Sequence, residues 1–346
     1  MRYRRLGRTG LYVSELCLGT MTYGGKGFWA TIGDLGLDAV AAQLRAAIDA
    51  GVNFVDTANV YHEGESEKLV AGAIDKLGVA RDSLVIATKV RGRMGPGHND
   101  AGLSRKHILT SIDESLRRLR TDYVDLYQIH GVDRSTPLEE TLVTLDGLVR
   151  AGKVRYVGFC NLPAWQAMKA LAIADRLGLS RFVSAQMYYS IASRDLEREV
   201  VPLAEEEGLG ILPWSPLAGG LLSGKFDFEG KGPEGARRTT FDFPIVDKAR
   251  AKGCVDAMRP VAAAHGVSVA QIALAYLLQK PSVTSVILGA RTQAQLDDNL
   301  ASTKVELTGD EVAALDAASA LPPEYPGWMV DWQNGRDRNG DGSARA

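Results

Sequence analysis

NFVDTANVYHEG, residues 53–64, is the first of three stretches that decide the fold; the others are LVIATKVRGR, residues 84–93, and DLYQIHGVD, residues 125–133. Each contains an apolar, β-branched run that leads to a titratable side chain: Asp56, Lys89 and His130. Parallel strands of a barrel deliver functional groups at their C-terminal ends. The pattern therefore predicts one site at a barrel mouth, with Tyr61 on the loop that follows Asp56.

These four side chains suit proton donation to a carbonyl oxygen. A tyrosine hydroxyl has a pKa near 10, which is high for proton transfer at neutral pH. A neighbouring ammonium such as that of Lys89 would lower this pKa, and the Asp56 carboxylate would hold the ammonium in place. Taken singly, each residue is more often structural. Their joint occurrence at successive strand ends favours a functional site.

Composition sets the class of protein. The 346 residues are 45% hydrophobic and 24% charged, as in ordinary globular proteins, and fit one large barrel as well as two smaller domains. A net charge of −2 gives no reason to expect nucleic acid or a membrane as partner. No apolar run is long enough to span a bilayer, and the N-terminus lacks an apolar signal region. With three cysteines, expected to be reduced, a cytoplasmic location is expected.

Eight strand-like runs alternate with helical patterns along the chain. The runs are continuously apolar, as in parallel strands buried on both faces. This order fits a closed (β/α)₈ TIM barrel or an open doubly wound sheet, and no G-x-G-x-x-G follows the first strand, which favours the barrel. YRRLGRTGLYV, residues 3–13, predicts an N-terminal β-hairpin with its turn at Thr9 and Gly10, placed to plug the closed end. We expect a single barrel domain over residues 1–346.

Several local expectations accompany this architecture. Ser66 is expected to cap the second helix. The aperiodic segment from about Ser223 to Val246 predicts a long active-site loop. In the tail from Pro322, aromatic residues are expected to pack near the site, and residues 335–346 are expected to be disordered. The histidines outside the barrel strands show no ligand spacing, so no metal is predicted.

The chain resembles the aldo-keto reductase superfamily, in particular its bacterial and channel β-subunit-like branch. Asp56, Tyr61, Lys89 and His130 match the family's catalytic tetrad, and the resemblance runs from about Tyr3 to Leu321 in the family's own order. Further matching segments are GTMTYGG, DTANVYHEGESE, GFCN, AQMYYS, WSPLAGGLLSGK and ILGARTQAQLDDN. The resemblance implies that Tyr61 is the general acid, with Lys89 lowering its pKa, Asp56 holding Lys89 and His130 orienting the carbonyl.

The resemblance also implies a nicotinamide cofactor, NADPH/NADP⁺. Trp214 would stack on the nicotinamide, Asn161 and Gln186 would bind its carboxamide, and Arg291 suits a 2′-phosphate through charge-assisted contacts. Gln295 and Asn299 would face the adenosine end. The full set of expected cofactor-binding residues is Gly19, Thr20, Met21, Asp56, Cys160, Asn161, Gln186, Trp214, Ser215, Pro216, Leu217, Gly219, Lys225, Gly289, Ala290, Arg291, Gln295, Asp298 and Asn299.

Cys160 departs from the family, which usually has serine before this asparagine. A thiol is a poor hydrogen-bond donor, so one carboxamide contact is expected to be weaker. A small buried space-filler is the equally good alternative for Cys160.

The expected activity is the reversible, NADPH-dependent reduction of aldehydes or ketones to alcohols by a monomer or weak homo-oligomer. The expected substrate pocket comprises Tyr23, Phe28, Trp29 and His62, and the partner is a small carbonyl compound. Two alternatives stay open. One is a cofactor-binding regulatory subunit with slow turnover, as family members on membrane channels are. The other is a metal-dependent barrel hydrolase, for which no clustered ligands are visible.

Overall fold

The computed structural model describes residues 1–228, 232 and 236–337, with side chains up to residue 334. Its centre is a parallel eight-stranded sheet, and an antiparallel hairpin precedes it. The hairpin strands are β1 (Tyr3–Arg5) and β2 (Tyr12–Ser14). The sheet strands are β3 (Leu16–Gly19), β4 (Phe54–Asp56), β5 (Val85–Val90), β6 (Val124–Ile129), β7 (Val154–Cys160), β8 (Phe182–Tyr188), β9 (Gly210–Trp214) and β10 (Val286–Leu288).

The sheet closes on itself, which confirms the (β/α)₈ barrel. Strands β3 to β9 pair in chain order, and β10 pairs with β3. Between β9 and β10 a parallel bridge joins Ile211 to Val283, and the Thr284 amide donates to the Ile211 carbonyl at 2.8 Å. Each connection places a helix outside the barrel, so all eight strands end at the same mouth.

Helices surround the barrel. They are α1 (Leu37–Asp49), α2 (Glu65–Leu77), α3 (Arg105–Leu119), α4 (Leu138–Arg150), α5 (Ala164–Leu177), α6 (Val200–Glu207), α7 (Arg237–Thr240), α8 (Lys248–His265), α9 (Val269–Leu278), α10 (Gln293–Ala301), α11 (Gly309–Ala318) and α12 (Gly327–Asp337). The apolar faces of these helices pack on the outer face of the sheet and form the larger core. Such two-sided burial explains why the strands are apolar throughout.

A second apolar cluster fills the closed end inside the barrel. Leu6 and Val13 of the hairpin lie in it with Cys17, Phe54 and Leu212 from the strands, and all five side chains are fully buried. The hairpin is fixed to the barrel rim because the Arg8 amide donates to the Gly208 carbonyl at 2.9 Å. The hairpin therefore plugs the closed end, as the sequence predicts.

Four helices were not expected from the sequence. Helix α7 lies inside the segment expected to be loop, α8 begins just after it, and α11 and α12 follow α10, the helix after the last barrel strand. Pro260 lies inside α8, and a proline in a helical pattern usually signals a break. The α8 start is nevertheless well capped, because the Asp247 side chain accepts from the Arg250 amide.

Ser66 does not cap α2, so that expectation is wrong. The helix starts one residue earlier, after Gly64, which has a left-handed backbone and no side chain to cap with. The Ser66 hydroxyl instead donates to the Thr20 carbonyl at 2.9 Å and also contacts the Thr20 hydroxyl. It thereby ties α2 to the end of β3.

The aromatic tail is not packed away as expected. Tyr325, Trp328 and Trp332 are 73%, 47% and 53% exposed. The start of this segment is fixed to Arg198, which pairs with Glu324 at 3.0 Å and donates to the Pro322 carbonyl at 3.0 Å. Helix α12 extends to Asp337, and residues 338–346, most of the tail that is expected to be disordered, lie outside the described part.

Among the described residues, no single helix has the length and apolar character to cross a membrane. Helices α8 and α9 meet these criteria only as a pair bent by 97°.

A buried ion pair joins α2 to α3 behind β5, and we expect it to contribute to the stability of the fold. Glu67 is fully buried, accepts from Arg118 at 2.6 Å and accepts from the Thr88 hydroxyl at 2.6 Å. Glu67→Gln should lower the free energy of unfolding by about 3–5 kcal/mol, because it leaves the buried guanidinium uncompensated. Chemical denaturation measures this change.

Glu114→Gln is the matched control for this variant. Glu114 contacts the same Arg118 at 3.6 Å, but its side chain is 46% exposed. Its replacement should cost less than about 1 kcal/mol. Equal losses in the two variants would contradict the assignment of a special role to the buried pair.

Candidate active site

A buried ion pair lies at the mouth end of the barrel interior. The Lys89 Nζ on β5 donates to the Asp56 Oδ2 on β4 at 2.5 Å and to the Thr57 carbonyl at 2.8 Å. Lys89 is fully buried and Asp56 nearly so. Burial alone would lower the pKa of Lys89, but the Asp56 carboxylate raises it above its usual range. The ammonium therefore stays charged without water.

Two amides complete the shell around Asp56. The Nε2 atoms of Gln128 on β6 and Gln186 on β8 each donate to the Asp56 Oδ1 at 3.0 Å. The carboxylate thus accepts from side chains on three other strands. Gln186, which the resemblance assigns to a cofactor carboxamide, also lies 3.4 Å from the Gln128 Oε1. Sequence reasoning missed Gln128; a buried amide two residues before His130 was the available signal.

Tyr61 stands in the short turn that follows β4. Its hydroxyl lies 3.4 Å from the Lys89 Nζ, and that atom is 5.0 Å from the centre of the phenol ring. Burial raises the pKa of Tyr61 to about 12, although Lys89 acts in the opposite direction. The sequence-based argument had the direction of the lysine's effect right, but it left out the larger effect of burial.

A strained loop holds Tyr61 in place. His62, Glu63 and Gly64 all have left-handed backbones, with φ of 49°, 58° and 86°. The ring of His62 is buried and bonded at both nitrogens: Nδ1 accepts from the Lys26 amide at 3.2 Å, and Nε2 donates to the Met21 carbonyl at 3.0 Å. His62 therefore joins the loops after β3 and β4, and neither ring nitrogen is left for a substrate.

His130 follows β6 and lies beside the tyrosine. The two rings are 5.8 Å apart in an edge-to-face arrangement. Burial, together with the charges of Lys89 and Arg91, lowers the pKa of His130 well below its usual value. The imidazole is therefore neutral at physiological pH, and it can donate one hydrogen bond without carrying a charge.

Aromatic side chains from three loops form a chain of rings across the mouth. Trp29 contacts Tyr61 with ring centres 5.2 Å apart, Phe28 contacts Phe241 at 5.1 Å, and Phe243 stacks on Trp214 at 5.9 Å. Two further ring contacts complete the chain, one between Phe28 and Trp29 and one between Phe241 and Phe243. Of the expected pocket residues, Phe28 and Trp29 belong to it. Tyr23 instead lies buried in the outer core.

The segment after β9 has an unusual backbone. Ser215, Ala218, Gly219 and Gly220 all have positive φ. The Ser215 hydroxyl accepts from the Gly219 amide at 3.1 Å, so part of the segment's hydrogen bonding is internal. At its start, the Trp214 indole donates to the Asn161 Oδ1 at 2.9 Å, and Tyr188 packs against Trp214 with ring centres 5.0 Å apart.

Two arginines lie beside this segment, and the charge of a third, Arg291, acts on one of them. Arg237 and Arg238 approach Gly219 so closely that a β-carbon there would lie 2.5 Å and 3.3 Å from their guanidinium nitrogens. Burial, together with the charges of Arg238 and Arg291, lowers the pKa of Arg237 to about 10. The Arg237 Nε is buried without a hydrogen-bond partner among the described residues. Crowded cations of this kind favour a bound anion.

Arg237 and Arg238 were missed by the sequence reasoning, which took their segment only as a loop. The adjacent arginine pair in a Gly-rich stretch near the barrel mouth was the signal. Among the phosphate-binding residues that were expected, Arg291 reaches this cluster, whereas Lys225 is exposed.

The remaining expected cofactor residues lie at the ends of β3, β7 and β10, in the segment after β9 and in α10 and the turn before it. The Gln295 Oε1 accepts from the Arg291 amide at 2.9 Å, and Asn299 is buried. Asp298 instead accepts from Ser268 at 2.8 Å and Gln271 at 2.6 Å. Residues at the strand ends and in the segment after β9 complete the set: Gly19, Thr20, Met21, Cys160, Pro216, Leu217, Gly289 and Ala290.

Cys160 ends β7 and is fully buried, and burial raises the pKa of its thiol. The part of the chain that the structure describes contains no group of three His, Cys, Asp or Glu side chains able to hold a metal ion.

Comparison with known proteins agrees with this geometry. The profile of the aldo/keto reductase family matches residues 15–320. Versiconal hemiacetal acetate reductase of Aspergillus parasiticus is 34% identical, with 94% of this chain and 99% of that protein aligned. A probable voltage-gated potassium channel subunit beta of rice is 37% identical, with 94% and 98% aligned.

The uncharacterized oxidoreductase YrpG of Bacillus subtilis is 38% identical, with 95% of this chain and 100% of that protein aligned. Three findings agree: the barrel carries these four side chains at its mouth, the family profile matches most of the chain, and the relatives align with it almost end to end. The chain belongs to the aldo/keto reductase family.

Proposed function

We propose that this protein reduces aldehydes or ketones to alcohols with NADPH, reversibly, and that Tyr61 donates the proton. The buried contact among Lys89, Asp56 and Tyr61 carries the proposal. A charged amine 3.4 Å from a buried phenol has little structural benefit that an apolar side chain would not supply. It suits a phenol that must lose and regain its proton.

The protein's own groups would divide the work as follows. Tyr61, with a pKa of about 12, keeps its proton at neutral pH and is ready to donate it from Oη to the carbonyl oxygen. Lys89 stabilises the phenolate that results, and Asp56 keeps Lys89 charged and fixed. His130, neutral and beside Tyr61, donates a hydrogen bond to the oxygen as negative charge develops. A bound nicotinamide supplies the hydride, which no side chain can provide.

The residues present fit the phosphates of such a cofactor. Arg237, Arg238 and Arg291 would hold them, because their charges crowd one another and the buried Arg237 Nε lacks a partner among the described residues. Gly219 leaves room for this approach, since any β-carbon there would collide with Arg237. We assign Arg291 to the 2′-phosphate and Arg237 to the phosphates that NADPH and NADH share.

A regulatory role is the second candidate. Two relatives at 37% identity are described as probable voltage-gated potassium channel β-subunits, from rice and Arabidopsis thaliana. A protein of that kind binds the cofactor and turns over slowly. Steady-state oxidation of NADPH with a panel of aldehydes separates the two: rapid turnover supports the enzyme, and tight NADPH binding without it supports the regulatory subunit.

Replacing Tyr61 with Phe removes the hydroxyl and little volume. Turnover should fall by roughly 10²- to 10⁴-fold, the usual scale for a general acid. The dissociation constant for NADPH, measured by fluorescence titration, should stay close to that of the wild type. Retention of more than about a third of wild-type turnover would exclude Tyr61 as the proton donor.

Lys89→Met should act through the pKa of Tyr61. Without the ammonium, the pKa of the phenol should rise above about 12, because burial then acts unopposed. Alcohol oxidation needs the phenolate, so its rate should rise at higher pH in the variant than in the wild type. The pH–rate profile in the oxidation direction measures this, with a melting curve to verify folding. An unshifted profile in a folded variant would favour a purely structural lysine.

Arg291→Ala should separate the two cofactors. Loss of a charge-assisted contact costs about 1.5–3 kcal/mol, or roughly ten- to 150-fold in affinity, and only NADPH carries the 2′-phosphate. The dissociation constant should rise for NADPH and stay nearly unchanged for NADH. Arg237→Ala is the matched comparison and should weaken both cofactors alike. Equal weakening by Arg291→Ala would show that Arg291 shapes its loop and does not bind the phosphate.

A further inference from the structure

We propose that the substrate of this site carries an anionic group, a carboxylate or a phosphate, which Arg91 and Arg134 bind beside His130. The inference rests on the proposed carbonyl reduction and names the class of substrate. An open depression of about 550 Å³ adjoins the catalytic side chains. Its lining residues are Arg91, His130, Gly131, Val132, Asp133, Arg134 and Asn161.

Arg91 is held in a defined position at this depression. Its Nε donates to the Val132 carbonyl at 2.8 Å, and its side chain lies across Gly131. A β-carbon at Gly131 would be 3.6 Å from the Arg91 Cδ and 3.7 Å from its Nε, which is ordinary van der Waals distance, so the Arg91 side chain lies directly against this residue. The bond to Val132 uses only Nε. The two terminal amino groups stay available for a bidentate contact with a carboxylate or phosphate.

Arg134 supplies a second cation on the same wall. It makes no hydrogen bond or ion pair with any residue in the described ranges, and it lines the depression. Asp133 lies between the two arginines but is committed to its own loop. It accepts from the Leu103 amide at 2.7 Å, the Ser135 hydroxyl at 2.6 Å and the Thr136 hydroxyl at 2.7 Å.

The charge balance on this wall favours an anion. Two guanidinium groups face one carboxylate, which leaves one net positive charge next to a neutral imidazole. A depression of this size accommodates one small organic molecule. Because His130 lines it together with the arginines, a carbonyl placed at His130 would have its anionic substituent within the same cavity.

The wall formed by the loops after β3 and β4 is apolar. Trp29 and Phe28 present rings on the Tyr61 side, and Trp29 contacts Tyr61 directly. A substrate that spans both walls would combine an apolar or aromatic body with an anionic group. Aryl aldehydes that bear a carboxylate are the simplest compounds of this class.

Paired substrates test the proposal. The kcat/KM values of 3- and 4-carboxybenzaldehyde are compared with those of 3- and 4-formylbenzamide, which have the same shape without the charge. The wild type should prefer at least one acid over its amide by about tenfold, the scale of one charge-assisted contact. Arg91→Met and Arg134→Met should each reduce this ratio, and added salt should reduce it in the wild type.

Arg105→Met serves as the matched control. Arg105 is an exposed arginine at the start of α3 that does not line the depression. Arg105→Met should leave the acid-to-amide ratio unchanged. If the ratio depended only on net charge, Arg105→Met would lower the ratio as much as Arg91→Met does. 4-Formylphenyl phosphate distinguishes the two anions. If its kcat/KM relative to that of the amide exceeds the corresponding ratio for the carboxylate, the site is assigned to phosphate.

Two results would overturn the proposal: an acid-to-amide ratio near one in the wild type, or an equal loss for acid and amide in Arg91→Met. If no aldehyde is turned over, the proposed activity is wrong, and the anion site is then tested separately by measuring ligand binding. Calorimetry then compares 4-(hydroxymethyl)benzoate with 4-(hydroxymethyl)benzamide. Tighter binding of the benzoate that Arg91→Met abolishes supports the site, and equal binding of the two compounds refutes it.

Discussion

The ion pair between Lys89 and Asp56 is the interaction on which the rest of the site depends. Taking both charges out of water is costly, and their mutual attraction offsets this only if the remaining donors and acceptors are satisfied. The barrel satisfies them: the Thr57 carbonyl accepts from Lys89, and Gln128 and Gln186 donate to Asp56. The two charges and these three partners lie on or directly after β4, β5, β6 and β8, so the charges are held only when the sheet has closed. Tyr61 gains its charged neighbour from the same closure.

Loops that are anchored to this centre form the two walls of the mouth. His62 joins the loop after β3 to the loop that carries Tyr61, and the contact between Trp29 and Tyr61 links the aromatic wall to the acid. The wall formed by the loops after β5 and β6 is polar because Arg91 is held against Gly131, directly after His130. The barrel thus supplies the chemistry, and the loops supply the surroundings of the reacting oxygen. Under the proposed function, this contrast between the two walls would select the substrate.

Positive charge accumulates at two places on the mouth. Arg237 and Arg238 lie beside Gly219, where the charge of Arg291 also acts on Arg237, and Arg91 and Arg134 line the same depression as His130. Because the whole chain has a net charge of −2, these clusters are local features and not a reflection of overall composition. Fields of this kind raise the local concentration of anionic ligands and direct their approach. An anionic cofactor and an anionic substrate would therefore be drawn to the same face of the barrel, at separate positions.

The sequence by itself determined the barrel, its hairpin plug and the presence of Asp56, Tyr61, Lys89 and His130 at the mouth. These follow from local patterns, since an apolar β-branched run and the group that ends it lie within a few residues of each other. Helix α8 was missed because Pro260 and a weak apolar pattern obscured it, and the tail was wrongly expected to pack on the site. Only the tertiary structure decided which groups surround Asp56, that burial raises the pKa of Tyr61 and that Arg237 and Arg238 lie beside Gly219. The reason is physical: solvation and charge at a buried site depend on neighbours that are distant in the chain, and closing the barrel is what brings them together.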